Sequence, residues 1–114
     1  MSEKTKLNIL WTTGDPITGK FMVFMYANKA LEVKWWESVE IILWGATVKL
    51  ASEDKEIQEC IKNSMANGVK ISACRACARE LGVEKEIEDL GLNLDYMGSP
   101  LTKILKEDEK LLTI

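Results

Sequence analysis

Short apolar runs alternate with helix-patterned stretches along the whole of this chain, and that alternation narrows the possible folds more than any composition value. Residues 7–12, Leu7-Asn8-Ile9-Leu10-Trp11-Thr12, form an apolar run closed by the turn signal Thr13-Gly14-Asp15-Pro16, as a strand is. A helix is predicted over 18–32, with Phe21, Phe24, Met25 and Leu31 at helical spacing and Met22 and Val23 widening the apolar stripe towards a second buried side. Residues 38–44 are almost continuously apolar up to Gly45, the pattern of a strand buried on both faces. Residues 46–51 read as a loop leading to Ser52, an N-cap with Glu53 and Asp54 in the first turn of a helix that ends near Met65, before Asn67-Gly68. The inward stripe of that helix is Ile57, Cys60, Ile61, Ser64 and Met65, which makes Cys60 a small core residue. The remainder reads as a strand at 69–73, a helix closing at Gly82, a helical turn or two at 84–90 and a strand at 94–97. A helix then starts with Ser99 as N-cap and Pro100 at its first position, and a last strand covers 110–114.

Strict alternation calls for a parallel sheet joined by right-handed crossovers and covered by helices on both faces. The predicted class is therefore α/β, a three-layer α/β/α sandwich with a five-stranded parallel sheet. One domain over 1–114 is expected, because 114 residues bury a single core but leave no room for separate catalytic and binding domains. No apolar run approaches the roughly 20 residues of a membrane-spanning helix. The first residues, 1–6, are polar and lead straight into a strand pattern, so no export signal is read and a cytoplasmic location is expected. A net charge of −3, with lysines scattered among acids, argues against a dedicated nucleic-acid surface.

Three cysteines without an export signal fit free thiols rather than a disulfide scaffold. With no histidine in the chain, Ser-His and Cys-His nucleophiles and the usual zinc enzymes are excluded. Attention falls on Ile71-Ser72-Ala73-Cys74-Arg75-Ala76-Cys77-Ala78-Arg79-Glu80-Leu81-Gly82, where a buried strand turns directly into a helix. Cys74 stands at the helix start and Cys77 one turn on. Backbone N–H groups at a helix start favour the thiolate, the form that attacks sulfur, and Arg75 and Arg79 add positive charge nearby. In parallel sheets reactive groups sit beyond the C-terminal ends of the strands, which is where this pair falls.

Two thiols one turn apart can form a disulfide, supply part of a metal shell, act as nucleophile and neighbour, or simply pack a helix onto the sheet. A structural metal needs four soft ligands and only Cys60 remains, so no metal or cofactor is expected. A thioredoxin-like arrangement places its cysteines after an early strand and faces them with a proline; here neither Pro16 nor Pro100 is suitably placed. Gly14-Asp15-Pro16-Ile17-Thr18-Gly19-Lys20 has the spacing of a phosphate-binding loop, but Phe21 stands where a magnesium-binding hydroxyl belongs and Pro16 removes a backbone donor. An ordinary turn and helix entry explains it. Trp35 and Trp36 lie in a polar connection and read either as a subunit contact or lid, or as a cap on the core edge.

In this order and spacing, the chain resembles the DsrE/DsrF-like family of small sulfur-transfer proteins. The residues that carry the resemblance are the Asp15-Pro16 loop, Leu43-Trp44-Gly45-Ala46 followed by Val48-Lys49-Leu50, and Cys74 after the third strand with Leu81-Gly82-Val83 closing its helix. The resemblance implies a three-layer fold, assembly into homotrimers or homohexamers, and a cysteine at Cys74 that accepts sulfane sulfur as a persulfide. It also implies donor and acceptor proteins as partners, in sulfur metabolism or in relays for tRNA thiolation, with no stable nucleic-acid complex.

The leading expectation is a sulfur carrier in which Cys74 accepts sulfur, Arg75 and the helix start stabilise the anion, and Cys77 acts as a resolving thiol. Two readings from other classes stand beside it. One is a non-catalytic oligomeric scaffold or regulator held together near Trp35 and Trp36; the other is a dithiol oxidoreductase using Cys74 and Cys77.

Overall fold

Handedness and one reversal of direction set the architecture. The computed structural model describes residues 5–114, with five parallel strands in the order β4-β3-β2-β1-β5. They are β1 (Lys6–Trp11), β2 (Ser38–Leu43), β3 (Lys70–Cys74), β4 (Asn93–Asp95) and β5 (Lys110–Thr113). The expectation about an export signal concerns residues 1–6, of which 1–4 lie outside the described residues. From β1 to β4 the chain steps across the sheet in one direction, so right-handed crossovers put all of those connecting helices on one face. These are α1 (Pro16–Thr18), a π-helical segment (Gly19–Phe24) continuous with α2 (Met25–Glu32), then α3 (Ala46–Glu53), α4 (Lys55–Ala66), α5 (Arg75–Leu81) and α6 (Glu84–Asp89). The return to β5 runs the other way, and α7 (Gly98–Lys106) therefore covers the opposite face alone.

Strand alternation sorts the side chains to match. Ile9, Ile41 and Ile71 stand side by side across β1, β2 and β3 and head the large core, with Trp11, Leu43 and Ala73 one pleat further on. The other face carries Asn8 beside Glu40, then Leu10, Ile42 and Ser72 in line. Its apolar part is a small cluster of Ile42, Cys74, Met97 and Ile104. Both faces carry helices, as the alternation predicted, but unequally.

The thinly covered face holds a buried carboxylate that sequence reading did not single out. Glu40 accepts a hydrogen bond from Ser72 Oγ at 2.7 Å and faces Lys6 Nζ at 3.5 Å and Lys70 Nζ at 4.0 Å. Asn93 Nδ2 donates to Ser72 Oγ at 3.1 Å, extending the network to β4. A buried charge without such partners is strongly destabilising.

Six local expectations are corrected. Residues 46–51 are not a loop but most of α3, and Asp54, not Ser52, caps the next helix by accepting from the Ile57 N–H at 3.0 Å. Helix α7 starts at Gly98, so Ser99 sits inside its first turn, and β4 is the shorter Asn93–Asp95. The inward stripe of the first helical stretch is Gly19, Val23, Phe24, Ala27 and Ala30, whereas Phe21 and Met25 are exposed. Small residues let this helix lie close to the sheet, and picking the largest apolar side chains as core markers misreads it. Cys60 is half-buried against the core edge rather than inside it.

Gly19 also settles the glycine spacing noted above, because its absent side chain makes room for Trp11. A Cβ there would lie 2.7 Å from Trp11 Cζ2, and Trp11 is fully buried and wedged edge-on against Phe24 at a centroid distance of 5.3 Å. Lys20, next in line, pairs with Glu56. The ring has nowhere to go, so Gly19→Ala is expected to cost about 1–3 kcal/mol, the usual scale of overpacking. A urea midpoint equal to or above that of the wild type would contradict this.

Candidate functional site

Three segments converge at the C-terminal edge of the sheet to place the two thiols. The first is the turn after β2. Thr47, fully buried on α3, donates from Oγ1 to the Trp11 carbonyl at 2.7 Å and accepts from the Trp44 N–H at 3.0 Å. This hydroxyl pins the end of β2 to β1. Gly45 then turns the chain with φ 67° and ψ −123°, a backbone region open in practice only to glycine. Its N–H consequently points out of the turn and donates to Cys77 Sγ at 3.3 Å.

The second segment is the end of β3. Cys74 closes this strand and occupies the N-cap position of α5 in extended conformation, with no side-chain capping bond. It shares a face with Ser72 by alternation, which points it under α7 into the cluster with Ile42, Met97 and Ile104. Only 3% of its surface is exposed. The third segment is α5 itself, closed by Gly82 in the left-handed conformation. One turn in, Cys77 is half-buried, packs against both apolar clusters and adjoins Cys74. All three cysteines are free thiols.

Of the three residues singled out in the sequence, the structure brings the two cysteines together and takes the arginine away. The reachable, amide-supported sulfur is that of Cys77, whereas the expectation assigned this environment to Cys74. Arg75 Nη1 lies 3.2 Å from Glu84 Oε2 and 3.9 Å from Glu88 Oε1, and its Nη2 donates to the Leu94 carbonyl at 2.9 Å. It ties α5 to α6 and β4, so its charge is compensated there and not at sulfur. Arg79 is likewise engaged, donating to Tyr96 Oη at 2.7 Å and lying 3.9 Å from Glu84 Oε1.

The thiol electrostatics follow from these placements. Burial pushes the Cys77 thiol above its ordinary value, the Gly45 N–H pulls it part of the way back, and the Cys74 thiol adds to the rise. At Cys77, then, loss of water outweighs the amide contact.

Between α3 and α5 a cavity of about 360 Å³ opens over Cys77. Gly45, Ala46, Ala76, Cys77 and Leu81 supply apolar walls, and Lys49 and Glu80 one charge of each sign. The cavity is not legible in the sequence, because residues 46–51 read as loop: no side chain caps α3, and its first turn holds the β-branched Thr47 and Val48. Among the described residues no three His, Cys, Asp or Glu side chains converge as a metal site. None of the described helices is long and apolar enough to cross a membrane. Of the paired tryptophans, Trp36 donates from Nε1 to Tyr26 Oη at 3.1 Å and packs on the core edge, while Trp35 is exposed and stacks on Tyr26 at 6.1 Å.

The sequence profile of the DsrE/DsrF-like family matches residues 8–114. The chain belongs to that family. Among solved structures, a conserved protein of unknown function from Bacteroides thetaiotaomicron is 44% identical, with 96% of this chain and 95% of that one covered at a TM-score of 0.94. The ychN protein of E. coli is 17% identical over 96% of this chain and 99% of its own, with a TM-score of 0.73, a likeness of fold alone. A curated relative, small ribosomal subunit protein uS3c of Draba nemorosa, is 39% identical over 71 residues; the match spans 59% of this chain and 31% of that protein. Membership of the DsrE/DsrF-like family supports a role of sulfur-relay type in general terms.

The raised pKa of Cys77 and the unequal burial of the thiols give a direct test of the site. The carboxymethylation rate of Cys77 is expected to go on rising with pH after that of the denatured chain has levelled, since the folded thiol holds its proton longer. Peptide mapping of the native protein is expected to find Cys77 and Cys60 modified well before Cys74. Levelling at a lower pH than in the denatured chain, or Cys74 reacting first, would overturn the arrangement.

Proposed function

We propose that this DsrE/DsrF-like chain is a sulfur carrier that accepts sulfane sulfur as a persulfide on the Cys74/Cys77 pair and yields it to an acceptor thiol. The observation that carries the reading is the pair of adjoining free thiols at the sheet edge, one of them reachable and touched by the Gly45 N–H. The resemblance assigned first acceptance to Cys74; exposure favours Cys77 as the entry thiol and Cys74 as the neighbour behind it.

The chemistry balances without an added oxidant or reductant. The Cys77 thiolate attacks the outer sulfur of a sulfane-sulfur donor, one S–S bond of the donor breaks, and the sulfur on its far side leaves as a thiolate. An acceptor thiolate then attacks the same outer sulfur and displaces Cys77. Cys74 is placed to take the sulfur by an identical exchange and hold it away from water. Arg75 has no part in these steps, being held by Glu84, Glu88 and the Leu94 carbonyl.

Intact mass after exposure to a sulfane-sulfur donor tests the reading. The wild type is expected to gain the mass of sulfur, Cys77→Ser to lose most of the gain, and Cys74→Ser to keep it. No gain in the wild type would sink the proposal, and a gain that survives Cys77→Ser but not Cys74→Ser would reverse the order of the two thiols.

We propose further that the chain assembles with copies of itself, as a homotrimer or homohexamer, through the face of its first helical stretch. Ile17, Phe21 and Met25 stand one turn apart on that face and are 64%, 64% and 56% exposed, with Met22 beside them. An apolar row of this kind is uncommon on a monomer's surface. Light scattering is expected to give a multiple of 12.9 kDa for the wild type and a smaller species for Phe21→Asp. A monomeric wild type would end this reading.

A further inference from the structure

We infer that the cavity over Cys77 selects neutral catenated sulfur, a ring or chain of divalent sulfur atoms such as elemental sulfur or an organic polysulfane, as the donor to this thiol. The inference rests on the sulfur-carrier reading and adds the chemical class of the donor.

Shape, polarity and charge all bear on the choice. The cavity holds about 360 Å³, inside the roughly 300–1,000 Å³ range of small-molecule sites. That is far more room than the outermost sulfur of a persulfide needs. Its walls are Gly45, Ala46, Ala76 and Leu81, and the reactive sulfur of Cys77 is part of the same surface. Divalent sulfur is soft, polarisable and poorly hydrated, so it packs well against such walls. An anionic donor would have to give up water there without compensation. The two arginines of α5 are already engaged, Arg75 with Glu84 and the Leu94 carbonyl, Arg79 with Tyr96 and Glu84. Lys49 lines the cavity, but Glu80 lines it too, leaving no net positive charge to draw an anion in. The Gly45 N–H, already donating to Cys77 Sγ, favours the thiolate at the moment of attack without attracting an anion from solution.

The step conserves atoms and electrons. The Cys77 thiol gives its proton to solvent, and its sulfur forms a new S–S bond to one atom of the ring or chain. One S–S bond of the donor breaks, and the electron pair leaves on the sulfur at the far side of the break. For a ring, that sulfur remains tethered as the terminal anion of a polysulfide on Cys77; for an open chain, it departs with one substituent while the other stays on Cys77 in an organic disulfide or trisulfide, from which a second thiolate displaces the sulfur it carries.

Loading of the purified full-length protein, followed by intact mass and peptide mapping, tests this with three probes: colloidal elemental sulfur, dimethyl trisulfide and thiosulfate. Each rate is divided by the rate of the same probe with N-acetylcysteine, which removes intrinsic reactivity. The two neutral probes are expected to exceed thiosulfate by about tenfold or more, the scale on which a few methylene-sized contacts discriminate. Ala76 is solvent-exposed, so its variants test the cavity without disturbing the core. Ala76→Leu, which fills the space, is expected to slow the neutral probes by a similar factor, and Ala76→Lys to shift preference towards thiosulfate. Equal normalised rates, a preference for thiosulfate, or neutral loading untouched by Ala76→Leu would overturn the inference while leaving the sulfur-carrier reading in place. Failure of every probe to load, a hydrodisulfide control included, would overturn both.

Discussion

A parallel strand pair is joined only by a crossover, and crossovers turn right-handed; in this chain the order of steps across the sheet therefore decides which face is thick and which is thin. Three steps in one direction stack the segments from α1 to α6 on one side, and the single reversal to β5 leaves α7 alone on the other. The thick side carries Ile9, Trp11, Ile41, Leu43 and Ile71 in an unbroken apolar core. The thin side has to reconcile partial cover with a sheet face, and does so with polar groups that satisfy one another, Glu40 with Ser72, Lys6 and Lys70, and Asn8 with Glu109 and the Lys110 carbonyl. Only the carboxylate of this set is buried, Lys6 and Lys70 being exposed, so it is Glu40 that would be left uncompensated by removal of its partners.

That asymmetry reaches the thiols through the alternation of β3. Ile71 and Ala73 belong to the thick side, so Ser72 and Cys74 belong to the thin one, and Cys74 ends beneath α7 with Ile42, Met97 and Ile104. The helix that follows starts immediately, and one turn later it sets Cys77 where both clusters meet and where the Gly45 N–H reaches its sulfur. Two opposing effects act on this sulfur. Loss of water favours the neutral thiol and the amide favours the anion, and the first is the larger. Thr47 matters at one remove: its hydroxyl holds the Trp44 amide and the Trp11 carbonyl, and through them the turn that aims Gly45.

The fold was legible because it rests on periodicity. Apolar runs at β1, β2, β3 and β5 are long enough to declare themselves, and Gly82 marks the end of α5 with a left-handed residue as its sequence suggests. The site was legible in part. The cysteine pair stood out by type and spacing, but two features of its surroundings did not. Helix α3 lacks a side-chain cap and begins on Gly45, so Ala46 to Ala51 carried no start signal. Arg75 looked like a charge beside sulfur because the two are adjacent in sequence, yet adjacent residues on a helix point about 100° apart, and the acids that capture Arg75 lie on α6. Period-two alternation in the sequence already separates Cys74 from Ile71 and Ala73, and hence places it on the thin face.

Spacing alone makes two cysteines three residues apart look equivalent, but a strand-to-helix junction between them breaks the equivalence. A residue that ends a strand keeps the strand's alternation and is committed to one face of the sheet. Its partner one helical turn on obeys the helix period and is aimed by how the helix lies across the sheet edge. Cys74 accordingly is enclosed by side chains from β2, α7 and the β4–α7 connection, whereas Cys77 opens onto the gap between α3 and α5. Attack by a thiolate on a donor, or by an acceptor on the persulfide so formed, needs an approach in line with the S–S bond to be broken, and only Cys77 borders a cavity that leaves room for one. The difference in exposure between the two thus comes from topology, and it holds for as long as the junction stays folded.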